Sequence, residues 1–293
     1  MLGEDDASDR AVDAVRPGAV ATPRPHSREH VHKAEATTQT DLPTARSDWA
    51  FFLDIDGTLL DLAPTPDGVH VPSELRLCLG ALERAFGGAV ALVSGRSLAT
   101  IDRLFAPLVL TAAAGQHGAE TRAAGVPAQS APDPALEPIA AALASFAAAR
   151  PGLVVETKGS SVAVHYRQAP EHADAVRALA QRLVEPHRER LEILPAHAAF
   201  DIKPRAATKG RAIAWLMTRA PFAGRLPVFA GDDTTDEDGF AAINARGGVS
   251  IRVGRAGERA PSAARHRIGS PAEFRAWLRA CVAAVTAQPE RRP

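Results

Sequence analysis

The sequence contains few cysteines and no excess of charge of either sign. It has 2 cysteines among 293 residues, Cys78 and Cys281, which are far apart along the chain. There is thus no disulfide framework, and a reducing cytoplasm is the default expectation. Lys plus Arg and Asp plus Glu number 34 each, so the formal net charge is zero. This balance argues against non-specific binding to nucleic acids or to membrane surfaces.

The sequence also lacks long apolar segments. None of its hydrophobic runs approaches the roughly 18 residues of a membrane-spanning helix. The start of the chain, MLGEDDASDRAVDAVRPG, is acidic and has no apolar h-region, so it does not resemble a signal peptide. Hydrophobic residues still make up 46% of the chain, enough for a core domain and a smaller second one. We therefore expect a cytoplasmic globular protein without membrane or nucleic-acid partners, whose oligomeric state the sequence does not specify.

Hydrophobic patterning divides the chain into four segments. Residues 1–46 show no sustained periodicity and predict a disordered N-terminal tail. Residues 47–120 alternate buried strands with amphipathic helices, which is typical of a parallel α/β sheet. Residues 121–200 follow an α-β-β-α-β-β order and predict a small inserted α+β domain. The parallel pattern returns in residues 201–286, which we assign to the second part of the α/β core.

Polar side chains follow three of the predicted core strands. WAFFL leads into Asp54 and Asp56, AVALV into Ser94, and LPVFAG into Asp232 and Asp233. Ligands of open parallel sheets bind at the carboxyl ends of the strands. We therefore expect these side chains to meet at one edge of the sheet and to form the functional site.

The acidic residues at these strand ends predict a metal site. Asp54 and Asp56 are two positions apart, which in an extended chain directs both side chains to one side. Carboxylates this close repel each other unless a countercharge is present, and Mg²⁺ prefers a few carboxylates together with a substrate phosphate. Asp232, Asp233 and Asp236 add a second acidic cluster. We predict that these five residues form a Mg²⁺ site; the alternative is that they only cap the following helices.

Lys209 opens the predicted helix KGRAIAWLM, and a helix N-terminus favours anions. Together with the acids it suggests phosphoryl transfer, because an aspartate can attack phosphorus and form an aspartyl-phosphate. We predict Asp54 as the nucleophile and Asp56 as the general acid and then the base. Gly57 permits the tight turn out of the strand, and Thr58 offers a hydroxyl and a backbone N–H to the phosphate.

This constellation resembles the haloacid dehalogenase-like (HAD) superfamily of phosphatases. The resemblance rests on DIDGT at 54–58, Ser94, Lys209 and GDDTTD at 231–236, in this order. It implies a HAD-like Rossmannoid core of parallel strands with an inserted α+β cap domain. It also implies that Ser94 and Lys209 hold the phosphate.

The same resemblance implies roles for the acids. Asp54 would be the nucleophile and Asp56 the acid/base. Mg²⁺ would bind Asp54, the backbone carbonyl of Asp56, and Asp232, with Asp233 and Asp236 in support.

Six segments are similar to a narrower family, the trehalose-6-phosphate phosphatases. They are SGR at 94–96, GQHGAE at 115–120, VETK at 155–158, HYR at 165–167, DIKPRAATKG at 201–210 and GDDTTDEDGF at 231–240. The resemblance implies that Glu156, Lys158 and Arg167 of the cap hold the sugar. The other candidate phosphate- or substrate-binding residues are Gly95, Arg96, His117 and Asp201.

The cap residues have an alternative interpretation as a surface ion pair of Glu156 or Lys158 with Arg167, without a role in binding. The chain also departs from the family, which usually has Glu at the position of Asp201 and often Lys near His197.

The sequence therefore predicts a Mg²⁺-dependent hydrolase with a small-molecule sugar phosphate as its partner. The expected reaction converts trehalose 6-phosphate to trehalose and phosphate through an aspartyl-phosphate, as part of trehalose biosynthesis. One alternative is another HAD phosphatase acting on sucrose 6-phosphate or mannosyl-3-phosphoglycerate. The other is a degenerate phosphatase domain without activity.

Overall fold

The computed structural model describes residues 42–62, 68–129, 132–196, 198–254 and 261–287. Residues 1–41 of the predicted tail lie outside this part of the chain, as does His197. At the end of the predicted tail, Ala45 is buried and Leu42 packs against the hydrophobic core. Within the described residues, no helix combines the length and the hydropathy needed to cross a membrane.

The fold contains 12 strands and seven α-helices in the described residues. The strands are β1 (Trp49–Leu53), β2 (Val90–Val93), β3 (Ala112–Gly115), β4 (Glu120–Ala123), β5 (Val126–Gln129), β6 (Val154–Thr157), β7 (Val162–His165), β8 (Leu191–Ala196), β9 (Ala199–Pro204), β10 (Leu226–Gly231), β11 (Val249–Val253) and β12 (His266–Ile268). The helices are α1 (Ser73–Ala85), α2 (Leu98–Phe105), α3 (Leu136–Ala148), α4 (Ala173–Val184), α5 (Lys209–Leu216), α6 (Glu237–Asn244) and α7 (Pro271–Thr286).

Eight strands form a mostly parallel sheet in the order β12-β11-β10-β1-β2-β3-β4-β5. All pairs from β12 to β3 are parallel, and β4 and β5 continue the sheet antiparallel. Every residue of the central strand β1, WAFFL, is buried, because helices cover both faces of the sheet. The prediction of a parallel α/β core is confirmed.

Alternate residues of β1 belong to different hydrophobic clusters. Phe51 packs with α1 and α7 residues such as Phe274, whereas Phe52 packs with α5 and α6 residues such as Phe240. This alternation follows from the two-residue period of a strand. The sheet is thereby held on both faces, and the carboxyl end of β1 is fixed in position.

Both cysteines lie in the first of these clusters, although they are far apart along the chain. Burial raises the pKa of the Cys281 thiol to about 12, with Cys78 adding to the effect. Burial also raises the pKa of Cys78. Both side chains therefore behave as buried apolar groups with unreactive thiols.

A second sheet has the order β6-β7-β9-β8 and is antiparallel throughout. Its residues Val164 and Ile202 pack against Leu143 of α3 and Val176 of α4. Because strand residues alternate between faces, its opposite face carries the polar side chains considered below. We call β6–β9 with α3 and α4 the cap, and the eight-stranded sheet with its helices the core.

The boundaries of the cap sheet lie later in the chain than those predicted for the insertion, residues 121–200. In the core, β4 pairs with β3 and β5 pairs with β4, and β9 continues to Pro204 in the cap. Neither β4 nor β5 has a clear alternation of apolar and polar residues, so the hairpin that they form could not be predicted from the sequence. We propose residues 132–204 as the inserted cap.

Candidate active site

Asp54 and Lys209 form the centre of the candidate site. Asp54 follows β1 and is 4% exposed; Lys209 is the first residue of α5 and is 3% exposed. The Nζ atom of Lys209 donates to Oδ1 of Asp54 at 2.7 Å and to Oδ1 of Asp236 at 2.6 Å. Lys209 therefore contacts two carboxylates at the carboxyl end of the sheet, one of them 155 positions earlier and the other 27 positions later in the sequence.

Asp236 organises the turn that follows β10. It is fully buried, and its Oδ2 accepts from the backbone N–H groups of Asp232 at 3.0 Å and Asp233 at 2.9 Å. Its other oxygen accepts from Lys209. Asp233 instead accepts from the Thr234 N–H through its own Oδ1 at 2.6 Å. Asp236 thus fixes the backbone that carries Asp232, and Asp233 acts as a cap.

Burial sets the electrostatics of this centre. It raises the pKa of the Asp54 carboxyl to about 8, an effect that Lys209 opposes and that the Asp236 and Asp232 carboxylates reinforce. Burial by itself would lower the pKa of Lys209, but Asp236 and Asp54 outweigh it and raise that pKa above its usual range. Lys209 therefore stays charged. A cation among the carboxylates would favour their ionised forms in the same way.

Asp54, Asp232 and Asp236 form a cluster of carboxylates. One carboxylate oxygen from each lies within 4.8 Å of the others, and all three residues are buried. Gly57 faces this cluster with a φ of +81°, and a Cβ built there would lie 2.2 Å from Oδ2 of Asp232. A side chain at position 57 is therefore excluded both by its backbone conformation and by the approach of the carboxylate.

Thr58 and Ser94 lie beside these acids as buried hydroxyl groups. Within the described residues, Oγ1 of Thr58 has no hydrogen-bond partner, which is costly for a buried hydroxyl. Oγ of Ser94 accepts from the Arg96 N–H at 3.2 Å. A bound phosphate oxygen would supply the partner that Thr58 lacks.

Asp56 does not join the acidic cluster. Its carboxylate accepts two hydrogen bonds from Arg96, from Nε and Nη2, each at 2.7 Å. The strand ends at Leu53, and the backbone then turns, with the Gly57 N–H donating to the Leu60 carbonyl at 2.8 Å. Asp54 and Asp56 therefore follow β1 instead of lying within it, and Asp56 pairs with Arg96.

His117 packs on the loop that carries Ser94 and Arg96. A Cβ built on Gly95 would lie 2.7 Å from Nε2 of His117, so the ring approaches the loop backbone closely. Burial lowers the pKa of His117 to about 3, together with Lys209, Lys203 and Lys158. The imidazole is therefore neutral and can act as a hydrogen-bonding group at neutral pH.

Charged groups of the cap form a second cluster. Nζ of Lys158 lies 3.3 Å from both carboxylate oxygens of Asp201 and 3.8 Å from Oε2 of Glu156. Glu156 also lies 3.0 Å from Nε2 of His165. The partner expected from the sequence for an ion pair was Arg167, which is exposed. In the described geometry, Lys158 pairs with Asp201, and Glu156 contacts both Lys158 and His165.

The sequence model of the family described as trehalose-phosphatase matches residues 52–271. The chain is also 42% identical over 217 residues to the trehalose-6-phosphate phosphatase of Escherichia coli (strain K12), covering 73% of this chain and 81% of that protein. This chain belongs to the trehalose-phosphatase family. It is 42% identical over 214 residues to a probable trehalose-phosphate phosphatase of Sinorhizobium fredii, covering 73% of this chain and 80% of that protein.

Solved structures of the trehalose-phosphatase family have the same fold. The C-terminal domain of the C. albicans trehalose-6-phosphate phosphatase superposes with a TM-score of 0.67 at 19% identity, covering 80% of this chain and 92% of that one. A trehalose-6-phosphate phosphatase related protein gives 0.65 at 22% identity, covering 80% and 97%. The HAD-like fold predicted from the sequence is thereby confirmed.

For this member of the trehalose-phosphatase family, three polar residues near the site were not predicted from the sequence: Gln116 and Lys203, which are buried, and Glu120, which is partly buried. Nζ of Lys203 donates to Oε1 of Glu192 and to the Ala207 carbonyl, both at 2.7 Å. Gln116 and Glu120 stand inside GQHGAE, a segment that the sequence analysis recognised only for its resemblance. Their polar character next to the apolar strand β3 was the available signal.

Proposed function

We propose that this protein hydrolyses trehalose 6-phosphate to trehalose and phosphate. The observation that carries the proposal is the buried contact of Lys209 with Asp54 and Asp236 at the carboxyl end of β1, in a chain of the trehalose-phosphatase family. Lys209 engages Oδ1 of Asp54, so we assign Oδ2 as the nucleophilic oxygen. A buried ammonium beside it stabilises the negative charge of the transferring phosphoryl group.

The reaction has two steps. Oδ2 of Asp54 attacks phosphorus and breaks the bond to the sugar oxygen, which takes a proton from Asp56. Water then attacks the aspartyl-phosphate, Asp56 accepts the proton of that water, and the bond to Asp54 breaks to release phosphate. Arg96 holds Asp56 through the same donors that suit a phosphate, so substrate binding to Arg96 would release the Asp56 carboxylate.

We assign the acidic cluster as the site of a divalent cation, Mg²⁺ by the chemistry of its oxygen ligands. Asp54 and Asp232 would hold it, with the backbone carbonyl of Asp56. Both oxygens of Asp236 already accept hydrogen bonds, so its role would be to orient Asp232 and Lys209. Asp233 would support the same turn. When bound, such a cation neutralises charge on the phosphate.

Phosphate and sugar would contact different parts of the molecule. Besides Lys209 and Arg96, the candidates for the phosphate are the buried hydroxyls of Thr58 and Ser94 and the backbone at Gly57 and Gly95. We assign the cap residues Glu156, Lys158, Arg167 and Asp201 to the sugar hydroxyls, with His117 between the two groups. Asp201 is one methylene shorter than the Glu that the family usually has at this position. Because Lys158 contacts Asp201, we assign Asp201 a second role, which is to orient Lys158 towards the sugar. The scarcity of cysteines favours the cytoplasm as the place of this reaction.

A substrate panel tests the proposal. Purified protein with Mg²⁺ would be given trehalose 6-phosphate, glucose 6-phosphate, sucrose 6-phosphate and mannosyl-3-phosphoglycerate, and phosphate release would be measured. We expect the highest kcat/KM for trehalose 6-phosphate. A higher value for another sugar phosphate would reassign the substrate, and no release from any of them would contradict an enzymatic role.

A further inference from the structure

A buried glutamine connects the core to the cap. Gln116 follows β3 and is 3% exposed. Gln116 and His117 have φ angles of +47° and +56°, although neither is glycine. Non-glycine residues are uncommon in this left-handed region, and two in succession persist only where the surroundings hold them. The contacts of Gln116 identify what holds it.

The backbone of this turn supports the loop expected to bind phosphate. The Gln116 N–H donates to the Arg96 carbonyl at 2.8 Å, and the His117 N–H donates to the Ser94 carbonyl at 3.0 Å. The left-handed conformation directs both N–H groups at that loop. The position of the loop therefore depends on the turn at Gln116.

The side-chain amide of Gln116 extends in two directions. Its Oε1 accepts from the Ser160 N–H of the cap at 3.2 Å. Its Nε2 donates to Oε1 of Glu120 in the core. The other oxygen of Glu120 accepts from the Leu98 N–H at 2.7 Å, at the start of α2 directly after the Ser94–Arg96 loop. One amide thus joins a turn of the cap, through Glu120, to the C-terminal end of that loop.

Ser160 lies in the β6–β7 turn that also carries Lys158. The Ser160 N–H donates to the Lys158 carbonyl at 2.9 Å, and the Lys158 N–H donates to the Ser161 carbonyl at 2.8 Å. Because this turn is closed on itself, a contact that fixes Ser160 also fixes the backbone of Lys158. Glu156 lies two residues earlier on β6 and moves with it.

We infer that Gln116 is a positioning residue that sets the distance between the cap groups that hold the sugar and the core loop that holds the phosphate. The inference rests on the proposed function and adds a residue outside the assigned binding groups. A sugar phosphate spans both regions, so it gains from their alignment. A small acyl phosphate reaches the core loop alone and gains little.

Steady-state kinetics of Gln116→Met test this role. Met keeps the unbranched shape and length but can form neither amide hydrogen bond. We expect kcat/KM for trehalose 6-phosphate to fall about 3- to 10-fold, the value of one or two neutral hydrogen bonds. Hydrolysis of acetyl phosphate should change less than about twofold, since the backbone bonds to Ser94 and Arg96 remain. The matched control is Gln181→Met on the exposed side of α4, which should change neither activity.

Exchanging the amide of Gln116 and the carboxylate of Glu120 should restore the activity that Gln116→Glu alone loses. Gln116→Glu alone opposes two carboxylates and should lower trehalose 6-phosphate hydrolysis at least as much as Gln116→Met. In the double variant with Glu120→Gln, residue 120 donates to residue 116 and still accepts from Leu98, and residue 116 still accepts from Ser160. We expect the double variant to recover to within about threefold of wild type.

Hydrogen exchange gives a readout that does not depend on activity. Peptides covering Ser160 and Leu98 should exchange faster in Gln116→Met than in wild type and return towards wild-type rates in the double variant. Unchanged exchange in both peptides, equal losses on both substrates, or failure of the double variant to recover would each overturn the inference. If wild type hydrolyses acetyl phosphate but not trehalose 6-phosphate, the proposed function fails, and the exchange rates alone decide the role of Gln116.

Discussion

The core site and the cap surface use charge in opposite ways. In the core, Lys209 is 3% exposed and contacts two carboxylates at 2.7 and 2.6 Å. In the cap, Lys158 contacts Asp201 at 3.3 Å and Glu156 at 3.8 Å, and the Glu156 side chain is 52% exposed. Buried, short contacts fix geometry, whereas exposed, longer ones are easily exchanged for other partners. The contrast fits a rigid reaction centre beside a surface whose ion pairs a ligand can replace.

The two regions also differ in what a broken contact costs. Removing one partner of a buried ion pair leaves an uncompensated charge and destabilises a protein by about 3–5 kcal/mol. Exposed pairs contribute about 0–1 kcal/mol. Substitutions in the core therefore need a check of folding, as does Lys158→Ala, which leaves the buried Asp201 unpaired, whereas Glu156→Ala at an exposed side chain reports on binding more directly.

The largest effect should come from the nucleophile. Asp54→Asn should lower hydrolysis of every substrate by at least about a thousandfold, because an amide cannot form the acyl-phosphate intermediate. The measurement is phosphate release, with thermal melting to show that the variant folds. Asp61→Asn serves as the matched control, since the Asp61 side chain is 74% exposed, and it should be fully active. Normal turnover by a folded Asp54→Asn variant would contradict the mechanism.

Removal of divalent cations tests the acidic cluster. Exhaustive chelation should reduce hydrolysis of both large and small substrates by about a hundredfold or more, and added Mg²⁺ should restore it. Mg²⁺ should also raise the melting temperature, because it binds the folded state. Asp232→Asn should lose that increase. Full activity after chelation, or the same Mg²⁺-induced rise in melting temperature in Asp232→Asn, would contradict a metal site at this position.

The cap predictions separate recognition from chemistry. Glu156→Ala or Lys158→Ala should each lower kcat/KM for trehalose 6-phosphate by about 10- to 150-fold, since a charge-assisted hydrogen bond contributes roughly 1.5–3 kcal/mol. Acetyl phosphate does not reach these groups, so its hydrolysis should change less than about threefold.

The control for this pair of variants is Glu185→Ala, an exposed glutamate that follows α4 in the same cap. It should leave both activities unchanged. Equal losses on both substrates in Glu156→Ala would show that the cap acts on the chemistry or the fold. No loss on either substrate would make Glu156 and Lys158 a surface ion pair.

The sequence predicted the core better than the cap for a physical reason. Parallel strands buried on both faces are continuous apolar runs, and the acids that end them must meet at one edge of the sheet. Asp54, Lys209 and Asp232 could therefore be named from local patterns and their order. Contacts that depend on how the chain turns after a strand were not accessible in this way. Arg96 binds Asp56, 40 positions earlier in the sequence, beyond the end of β1.

The cap contacts depend on register and on how the two sheets meet. Lys158 directly follows β6, and Asp201 lies 43 positions later on β9; these two strands are not adjacent, and both pair with β7. Nothing in the local sequence of Lys158 indicates that Asp201 is its partner. Gln116 contacts Ser160 because the β6–β7 turn of the cap lies against the core. Such contacts follow from the assembled fold, and no periodic pattern encodes them.

The smallest expected effect lies where core and cap meet, at His117. Burial lowers its pKa to about 3, and Lys209 of the core and Lys203 and Lys158 of the cap add to this. An unfolded chain protonates histidine near pH 6.5. Between about pH 6.5 and 3 the unfolded state therefore binds a proton that the folded state does not, and stability is lost as the pH falls through this window. Above pH 6.5 the residue makes no contribution to the pH dependence.

Replacing the imidazole of His117 should weaken the fall of the unfolding free energy with decreasing pH. Asn tolerates the left-handed backbone at position 117, so we expect His117→Asn to fold. The loss of unfolding free energy between pH 7.5 and 5, measured by urea denaturation, should be smaller in His117→Asn than in wild type by up to about 2 kcal/mol. Lys158→Ala should give a smaller change of the same sign, because only one cation near the ring is removed. The same pH dependence in wild type and Lys158→Ala, with a weaker one in His117→Asn, would mean that the cap charge does not act on His117. The same slope in all three proteins would mean that His117 titrates normally and that the cap is not held against the core in solution.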